Sequence, residues 1–267
     1  MISVSDLFLY PVKSCAGVSV DQARVGATGF DLDRRWMVVG SDGRFVSQRE
    51  QPKLALVRTK IGADRLLLEA PGLRVLEVPF EREPGPTVRV AVWKDESAAL
   101  DEGRAAGEWF SAHLGISTRL VRLADDDARP LGAPSAQPGD RLSFADAYPF
   151  LLLSEASLDG LNRRLSLPLP MDRFRPNIVI TGCGPHAEDG WRQLRIGDVD
   201  FRVAKPCARC VITTTNQKTG ERGREPLHTL ATYRLQDGEV LFGQNLVHGG
   251  RGVVRVGDRV VVLAFER

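Results

Sequence analysis

The chain has few cysteines, few aromatic residues, little net charge and no long apolar run. Its 267 residues include four cysteines and 7% aromatic residues, and the formal net charge is +2. Four cysteines in a chain of this length do not make a disulfide framework, and a net charge near zero gives no field that favours nucleic acid or a membrane surface. No apolar run approaches the roughly 18 residues of a membrane-spanning helix, and the N-terminus lacks the features of a signal peptide. We therefore expect a cytoplasmic protein.

Familiar catalytic motifs are also missing. The sequence contains no G-x-S-x-G, S-x-x-K, H-E-x-x-H, Walker loop or G-x-G-x-x-G motif, and no haem or iron–sulfur spacing. These absences exclude the common hydrolase, nucleotide-binding and electron-carrier signatures. If the protein transfers electrons, another protein must supply them.

Alternating apolar residues predict a fold rich in β-strands. The predicted strands lie near residues 2–7, 18–23, 36–39, 45–47, 54–61, 66–68, 73–78, 88–93, 118–123, 177–181, 194–196, 201–204, 211–215 and 253–265. Hairpin turns are predicted at Asp42-Gly43, Gly197-Asp198 and Gly257-Asp258. A mostly antiparallel barrel with a few helices fits this pattern best, with a smaller β-rich unit at the N-terminus.

Two helices are predicted among these strands. The first is capped by Asp101, ends at Gly115 and presents one face made of Ala105, Trp109 and Ala112 or His113. The second is capped by Ser154, and its apolar residues Leu158, Leu161 and Leu165 have helical spacing.

The segment from residue 125 to residue 140 separates two parts of the chain. It begins with three acidic residues, contains three prolines and has no apolar periodicity. It is either a linker or a long surface loop, so we place a boundary near residue 124.

The stretch KPCARCVITTT, residues 205–215, carries the most chemistry. Cys207 and Cys210 flank Arg209, and the β-branched run that follows predicts a strand with Cys210 at its mouth. A thiolate is the form of cysteine that binds metal, and a neighbouring cation favours it. Together with YPVKSC near the start and FRPNIVI before residue 181, this stretch predicts a site for an anionic cofactor with a soft metal.

Other interpretations of the two cysteines stay open at this point. Half of a zinc site is one, although a structural zinc needs four ligands and the other cysteines and the histidines stand apart. A thioredoxin-like pair is another, although such a pair opens a helix and the run after Cys210 favours a strand. Two buried thiols that only pack are the third.

Basic residues at the edges of apolar runs are candidates for binding phosphate or a polar heterocycle. Lys13 lies in a loop between strands, and such a loop can present a lysine and backbone N–H groups to an anion. The guanidinium fork suits phosphate oxygens. The arginines at such edges are Arg34, Arg35, Arg173 and Arg175. Taken singly, each is more often a solvated surface residue.

The ordered set of motifs resembles a known family. The segments YPVKSCAG, LDRRWMVV, YPFLLLSEASLDGLN, FRPNIVITGC, AEDGW, CARCVITTTNQKTG, EPLHTLATYR and FGQN occur in that order. They resemble MOSC proteins (molybdenum cofactor sulfurase C-terminal domain) that carry an N-terminal β-barrel region, among them the amidoxime-reducing components of mitochondria and their bacterial counterparts.

The resemblance implies a β-rich α+β fold with two units. Residues 1–123 correspond to the MOSC N-terminal region and residues 124–267 to the MOSC domain. The first 35 residues are expected to pack with the barrel, which leaves residues 36–122 as an insertion. We expect neither the membrane anchor of the mitochondrial members nor the ferredoxin-like domain fused to some bacterial ones.

The resemblance also implies a role for individual residues. Cys210 matches the thiolate ligand of molybdenum, and Lys13, Ser14 and Arg34 match residues that hold the cofactor. Further cofactor contacts are implied for Arg175, Asn177, Ala208, Arg209 and, where relatives carry a small hydroxylated residue, Tyr148. Cys183 matches a second family cysteine near the site. After it, Gly184-Pro185 stands where mitochondrial members have an acidic residue.

The implied function is reduction of N-hydroxylated compounds such as amidoximes, hydroxylamines and N-hydroxylated bases by a molybdenum–molybdopterin cofactor. The implied partners are a small-molecule substrate and a separate electron-donor protein, with no nucleic acid and no membrane. The alternative is a sulfur-carrier or cofactor-handling module in which Cys210 bears a persulfide.

Overall fold

The computed structural model describes residues 1–81, 83, 85–124, 128–132 and 135–265. The strands are β1 (Ser3–Leu9), β2 (Val18–Val20), β3 (Gln22–Val25), β4 (Trp36–Gly40), β5 (Arg58–Ile61), β6 (Arg65–Glu69), β7 (Leu76–Pro79), β8 (Thr87–Val92), β9 (Asp95–Asp101), β10 (Thr118–Leu123), β11 (Arg129–Pro130), β12 (Arg141–Leu142), β13 (Phe150–Ser154), β14 (Ile178–Thr181), β15 (Trp191–Ile196), β16 (Val199–Ala208), β17 (Leu235–Gln236), β18 (Glu239–His248), β19 (Gly252–Arg255) and β20 (Val260–Phe265). The α-helices are α1 (Arg104–Leu114), α2 (Glu155–Asn162) and α3 (Leu227–Ala231), and the 3₁₀ turns are Pro52–Leu56, Met171–Arg173, Ala187–Gly190 and Val211–Thr214.

The largest sheet runs in the order β2-β1-β14-β13-β18-β16-β15-β20. Its pairs are antiparallel except β13 with β14, which α2 connects as a crossover. Hydrogen bonds from Val260 to Ile2 and from Val4 to Asp258, both of 2.9 Å, join the last strand of the sheet to β1. The interior is filled by aromatic rings, with Phe150 in edge-to-face contact with Phe30 at 4.9 Å and with Phe201 at 5.3 Å. The β-rich α+β fold predicted from the sequence is confirmed.

Two smaller sheets form the rest of the N-terminal part. One has the order β4-β10-β9-β8 and the other the order β5-β6-β7. Their shared core includes Trp36, Leu68, Phe110 and Leu120, all buried. The helix α1 packs on β10 so closely that a Cβ on Gly107 would lie 3.0 Å from the Thr118 carbonyl oxygen.

The first 25 residues belong to both parts. Strands β1 and β2 extend the large sheet through the pairing of β1 with β14, and β3 pairs with β19. The predicted domain boundary near residue 124 stays a prediction, and the acidic run at residues 125–127 lies outside the described residues. The segment predicted as a linker or loop contains β11, which pairs with β12 directly after the segment to form a two-stranded ribbon.

Most predicted elements are present. The hairpin turn at Asp42-Gly43 is confirmed by the bridge between Val39 and Phe45, and the one at Gly197-Asp198 by the pairing of β15 with β16. Ser154 caps α2, where its hydroxyl accepts a hydrogen bond of 3.1 Å from the Ser157 N–H. Gly115 ends α1 in the left-handed conformation that glycine favours.

Several predictions of local structure were wrong. Residues 54–56 are a 3₁₀ turn instead of a strand, because Pro52 fixes the first turn. The turn at Gly257-Asp258 joins two strands of different sheets, since β19 pairs with β3 and β20 with β15. The buried face of α1 is Ala106, Gly107, Phe110 and Leu114, not the predicted one. Asp101 ends β9 and accepts a hydrogen bond from the Gly103 N–H, so it is not the N-cap.

Candidate cofactor and active site

A cavity of about 410 Å³ opens where the N-terminal part meets the large sheet. The nine residues to which the resemblance assigns a metal or cofactor contact all line it: Lys13, Ser14, Arg34, Tyr148, Arg175, Asn177, Ala208, Arg209 and Cys210. These residues are separated by up to almost two hundred positions in the chain, so the fold brings them together. Their individual roles stay predictions.

The two cysteines of CARC lie at the end of a strand, not at its beginning. Cys207 belongs to the long strand β16, and Cys210 precedes the 3₁₀ turn Val211–Thr214, where a strand was predicted. The threonine hydroxyls explain the difference, because Thr213 and Thr214 donate hydrogen bonds to the carbonyls of Cys210 and Val211 at 2.9 and 2.8 Å. Such local bonds compete with a strand ladder. Both thiols are partly exposed and line the cavity, which contradicts the interpretation as buried packing thiols.

Buried Arg173 holds the turn that follows Cys210. Its guanidinium donates hydrogen bonds to the carbonyls of Thr213 at 2.9 Å, Thr214 at 3.2 Å and Glu225 at 3.3 Å. Burial lowers the pKa of Arg173, and the nearby Asp172 opposes that effect. This arginine was a candidate anion-binding residue in the sequence, but it supports the backbone beside the cavity instead of lining it.

Arg209 fixes the position of the other thiol. Its Nη1 donates a hydrogen bond of 3.0 Å to the Cys207 sulfur, and its Nη2 donates one of 2.6 Å to the Phe174 carbonyl. The buried Nε of Arg209 has no protein partner. A cation therefore lies beside the CARC thiols, as the sequence predicted.

Lys13, Asp146 and Arg49 form an ion cluster on one wall. The Lys13 Nζ donates hydrogen bonds to Asp146 and, at 2.7 Å, to the Phe144 carbonyl. Arg49 donates to the second carboxylate oxygen at 3.1 Å. Burial lowers the pKa of Lys13, and Asp146 opposes that effect. Burial alone would raise the pKa of Asp146, but the two cations hold it well below its usual range.

Two arginines that line the cavity share one aromatic ring. The guanidinium groups of Arg34 and Arg175 lie over the Tyr10 ring, 4.6 and 4.2 Å from its centroid. The Tyr10 hydroxyl is buried and donates a hydrogen bond of 3.0 Å to the Pro176 carbonyl. Burial is the main effect that lowers the pKa of Arg175, and the charge of Arg34 lowers it further. Buried Asp33 pairs with Arg34, and the two guanidinium groups and this carboxylate together carry one net positive charge, which favours an anion.

Four residues that line the cavity have positive φ without being glycine. They are Ser14 at 67°, Arg34 at 48°, Trp93 at 58° and Arg175 at 56°. Such conformations cost free energy, and they cluster where the surrounding structure holds functional side chains in place. Local strain therefore coincides with three residues that the sequence motifs single out, Ser14, Arg34 and Arg175, and also marks Trp93.

The sequence did not single out every residue of the cavity. Arg49, Asp146, Trp93 and Lys205 also line it. Their only sequence signal was proximity, because Arg49 follows the first predicted hairpin, Trp93 ends a predicted strand and Lys205 opens the CARC stretch. Conversely, Arg35 does not line the cavity. Cys183, expected near the site, lies past the other end of β14 and packs against the core of the large sheet.

The lining as a whole suits an anionic group with a sulfur ligand. Among the described residues that line the cavity, six side chains are cationic and Asp146 is the single carboxylate. Within the described ranges, the Nη1 of Arg49 and the Nε of Arg209 are buried donors without a partner. Buried donors are usually satisfied, so these two fit a bound group with acceptor atoms. Cys210 adds a thiol that can ligate a soft metal.

Two further observations concern the described part of the chain. Within it, no three His, Cys, Asp or Glu side chains converge in a way that could hold a metal ion. None of the helices in the described ranges has the length and apolar composition to cross a membrane.

Comparison with known proteins finds two family models. Residues 1–117 match the MOSC N-terminal beta barrel domain, and residues 139–261 match the MOSC domain. The mitochondrial amidoxime-reducing component 1 of Mus musculus is 38% identical over 280 residues, which cover 98% of this chain and 82% of the relative. The same component of Homo sapiens is 38% identical, with 98% and 83% covered. The mitochondrial amidoxime reducing component 2 of Bos taurus is 37% identical, with 97% and 82% covered.

Proposed function

Because the chain belongs to the amidoxime-reducing component family of MOSC proteins, we propose that it is a molybdenum-cofactor-dependent oxidoreductase that reduces N-hydroxylated compounds. The observation that carries this proposal is the opening of Cys210 into a cavity with six cationic side chains and one carboxylate. An anionic pterin cofactor needs such cations, and its metal accepts a protein thiolate.

Different residues of the cavity hold different parts of the cofactor. Cys210 is the protein ligand of the metal. Arg34 and Arg175, fixed over the Tyr10 ring, and Lys13 bind the anionic end of the cofactor. Asn177 orients Arg34 through a hydrogen bond of 2.9 Å.

When bound, the cofactor supplies two-electron redox chemistry for cleavage of the N–O bond. The balanced reaction converts R–NH–OH, two electrons and two protons into R–NH₂ and water. The electrons come from a separate donor protein. Among the described residues, Arg49 contributes a buried Nη1 donor without a hydrogen-bond partner, and it lines the same cavity as Cys210. This donor binds the oxygen of the N–O group.

The experiment that tests this function compares Cys210→Ala with the wild type. We expect near-stoichiometric molybdenum in gently purified wild type, and reduction of an amidoxime such as benzamidoxime with a chemical reductant. The variant should lose both the metal and turnover. Cys183→Ala is the matched control, because that thiol lies outside the cavity, and it should keep both.

Two outcomes would contradict the proposal. Full activity of Cys210→Ala would refute the assignment of the metal ligand. Labile sulfur without molybdenum would favour the persulfide carrier, a hypothesis to which the comparisons lend no support.

A further inference from the structure

Trp93 occupies an unusual position at the mouth of the cavity. It is the first residue of the two-residue turn that joins β8 to β9, since Val92 pairs with Asp95. Its φ is 58°, and the residue is 48% exposed while lining the cavity. Positive φ in a two-residue hairpin normally belongs to glycine, asparagine or aspartate. A bulky aromatic residue there is a conformational outlier.

The surrounding structure holds the indole in this place. The Phe45 ring contacts it edge to face at 5.1 Å, and the Arg49 guanidinium lies over it at 4.7 Å. The end of β8 before this turn is anchored, because the Phe45 N–H donates a hydrogen bond of 3.2 Å to the Ala91 carbonyl and the Ala91 N–H donates one of 3.0 Å to the Gly43 carbonyl. The ring is therefore a rigid aromatic surface whose remaining part is open.

Arg49 connects this surface to the chemistry. The same guanidinium that lies over Trp93 donates a hydrogen bond of 3.1 Å to Asp146, and its buried Nη1 has no partner in the described part of the chain. A substrate whose N–O oxygen accepts from that donor has its carbon substituent within reach of the indole, because the same guanidinium lies 4.7 Å from the ring centroid. Arg34 and Arg175, two of the cations assigned to the cofactor, lie over the Tyr10 ring and not over the indole, so we assign the open part of the indole to the substrate.

We propose that Trp93 is the stacking platform for the substrate and selects N-hydroxylated compounds with a planar, conjugated substituent. Aryl amidoximes and N-hydroxylated heterocycles should be favoured over hydroxylamines on saturated rings, because planar groups stack on an indole face. The inference rests on the proposed function and names the selectivity of that same site.

The test compares kinetics of four proteins on two substrates. The variants are Trp93→Gly, Trp93→Phe and, in the same turn, Lys94→Ala. Glycine relieves the strain at positive φ, so loss of the ring is not confused with misfolding. The substrates are benzamidoxime and N-cyclohexylhydroxylamine, and molybdenum content is measured in each protein.

We expect Trp93→Gly to raise KM for benzamidoxime by about fivefold or more, the loss of one stacked ring. Its KM for N-cyclohexylhydroxylamine, its kcat and its molybdenum content should match those of the wild type. Trp93→Phe should retain most of the affinity, and Lys94→Ala should behave as wild type. An equal change for both substrates would overturn the proposal. Loss of molybdenum from Trp93→Gly would also overturn it, because the ring would then belong to the cofactor site.

A binding measurement separates this proposal from the proposed function. Benzamidine, the planar reduced product, should quench tryptophan fluorescence saturably in the wild type but not in Trp93→Phe, which keeps Trp36, Trp109 and Trp191. Saturable quenching without any turnover would refute the reductase but retain the platform. Turnover without a Trp93-dependent signal would refute the platform alone.

Discussion

Arg34 donates a hydrogen bond of 2.9 Å from its Nη1 to the Oδ1 of Asn177, a residue 143 positions further along the chain. The Asn177 amide also donates to the Phe8 carbonyl at 3.2 Å and accepts from the Leu151 N–H at 3.3 Å. One buried side chain thus joins β1, β13 and the loop that carries Arg34. The cavity wall and the packing of the N-terminal strands depend on the same contact.

Asn177→Ala should lower the free energy of unfolding by about 2 kcal/mol. The substitution leaves the buried Leu151 N–H without this acceptor, and an unsatisfied buried donor costs about 1–3 kcal/mol. Urea unfolding measures the effect as a shift of the midpoint with an unchanged slope. Asn245→Ala is the control, because its amide makes only an exposed contact of 3.4 Å with Pro206, and it should change stability by less than about 0.5 kcal/mol. Equal losses in both variants would contradict the prediction.

Oxyanions should stabilise the cofactor-free protein through Arg175. Sulfate bound between Arg34 and Arg175 relieves the repulsion of two close guanidinium groups. At ten times its dissociation constant it would add about 1.4 kcal/mol and raise Tm by about 3–5 °C. Arg175→Ala should keep only the general salt effect, whereas exposed Arg89→Ala should keep the whole shift. The measurement is thermal unfolding in sulfate and chloride at equal ionic strength, and identical shifts in all three proteins would contradict it.

The sequence predicted the site better than its local structure. The motifs identified Lys13, Arg34, Arg175 and Cys210, because residue types and their order can be recognised without knowing how the chain folds. All four line one cavity. The prediction of a strand after Cys210 was wrong. Threonine is β-branched, so it favours a strand by composition, but here its hydroxyl donates a hydrogen bond to a nearby backbone carbonyl. The spacing of apolar residues reports on one segment at a time, whereas the secondary structure of that segment also depends on hydrogen bonds from distant residues such as Arg173.

The residues that the sequence missed depend on contacts across the fold. Asp146 has no motif of its own, and its importance comes from Lys13 and Arg49, which are about a hundred or more positions away. Trp93 ends an ordinary apolar strand, and only its backbone conformation and its neighbours mark it. Residues of this kind can be identified only from the three-dimensional structure.

Cys15 should be unreactive in the folded protein although it lies next to Ser14 in the cavity wall. The thiol is fully buried, and burial raises its pKa to about 12, an effect that Arg175 only partly opposes. The thiolate fraction at pH 8 is then roughly one in ten thousand. A disulfide reagent should label the partly exposed Cys207 and Cys210 first in cofactor-free protein, and Cys15 only after denaturation. Mass spectrometry of labelled peptides checks this, and equal labelling rates for Cys15 and Cys210 would contradict it.

Asp146 should make stability depend on acid pH. Lys13 and Arg49 hold its pKa in the folded protein well below the value of about 3.9 in the unfolded chain, although burial opposes them. Between those two values the unfolded chain binds more protons than the folded one, so the free energy of unfolding falls as pH falls. The contribution is complete above about pH 5 and is lost as pH drops toward the folded pKa.

Asp146→Asn removes this titration. At pH 7 the variant should unfold at lower urea than the wild type, because Lys13 is buried and loses its anionic partner. The gap between the two midpoints should narrow steadily from pH 5 to pH 3, since protonation makes the wild-type carboxyl resemble the amide. Urea titrations at matched ionic strength across that range measure the gap. A gap that stays constant would mean that Asp146 contributes by packing, whereas a gap that widens at low pH would reverse the sign of the argument and place its folded pKa above the unfolded one.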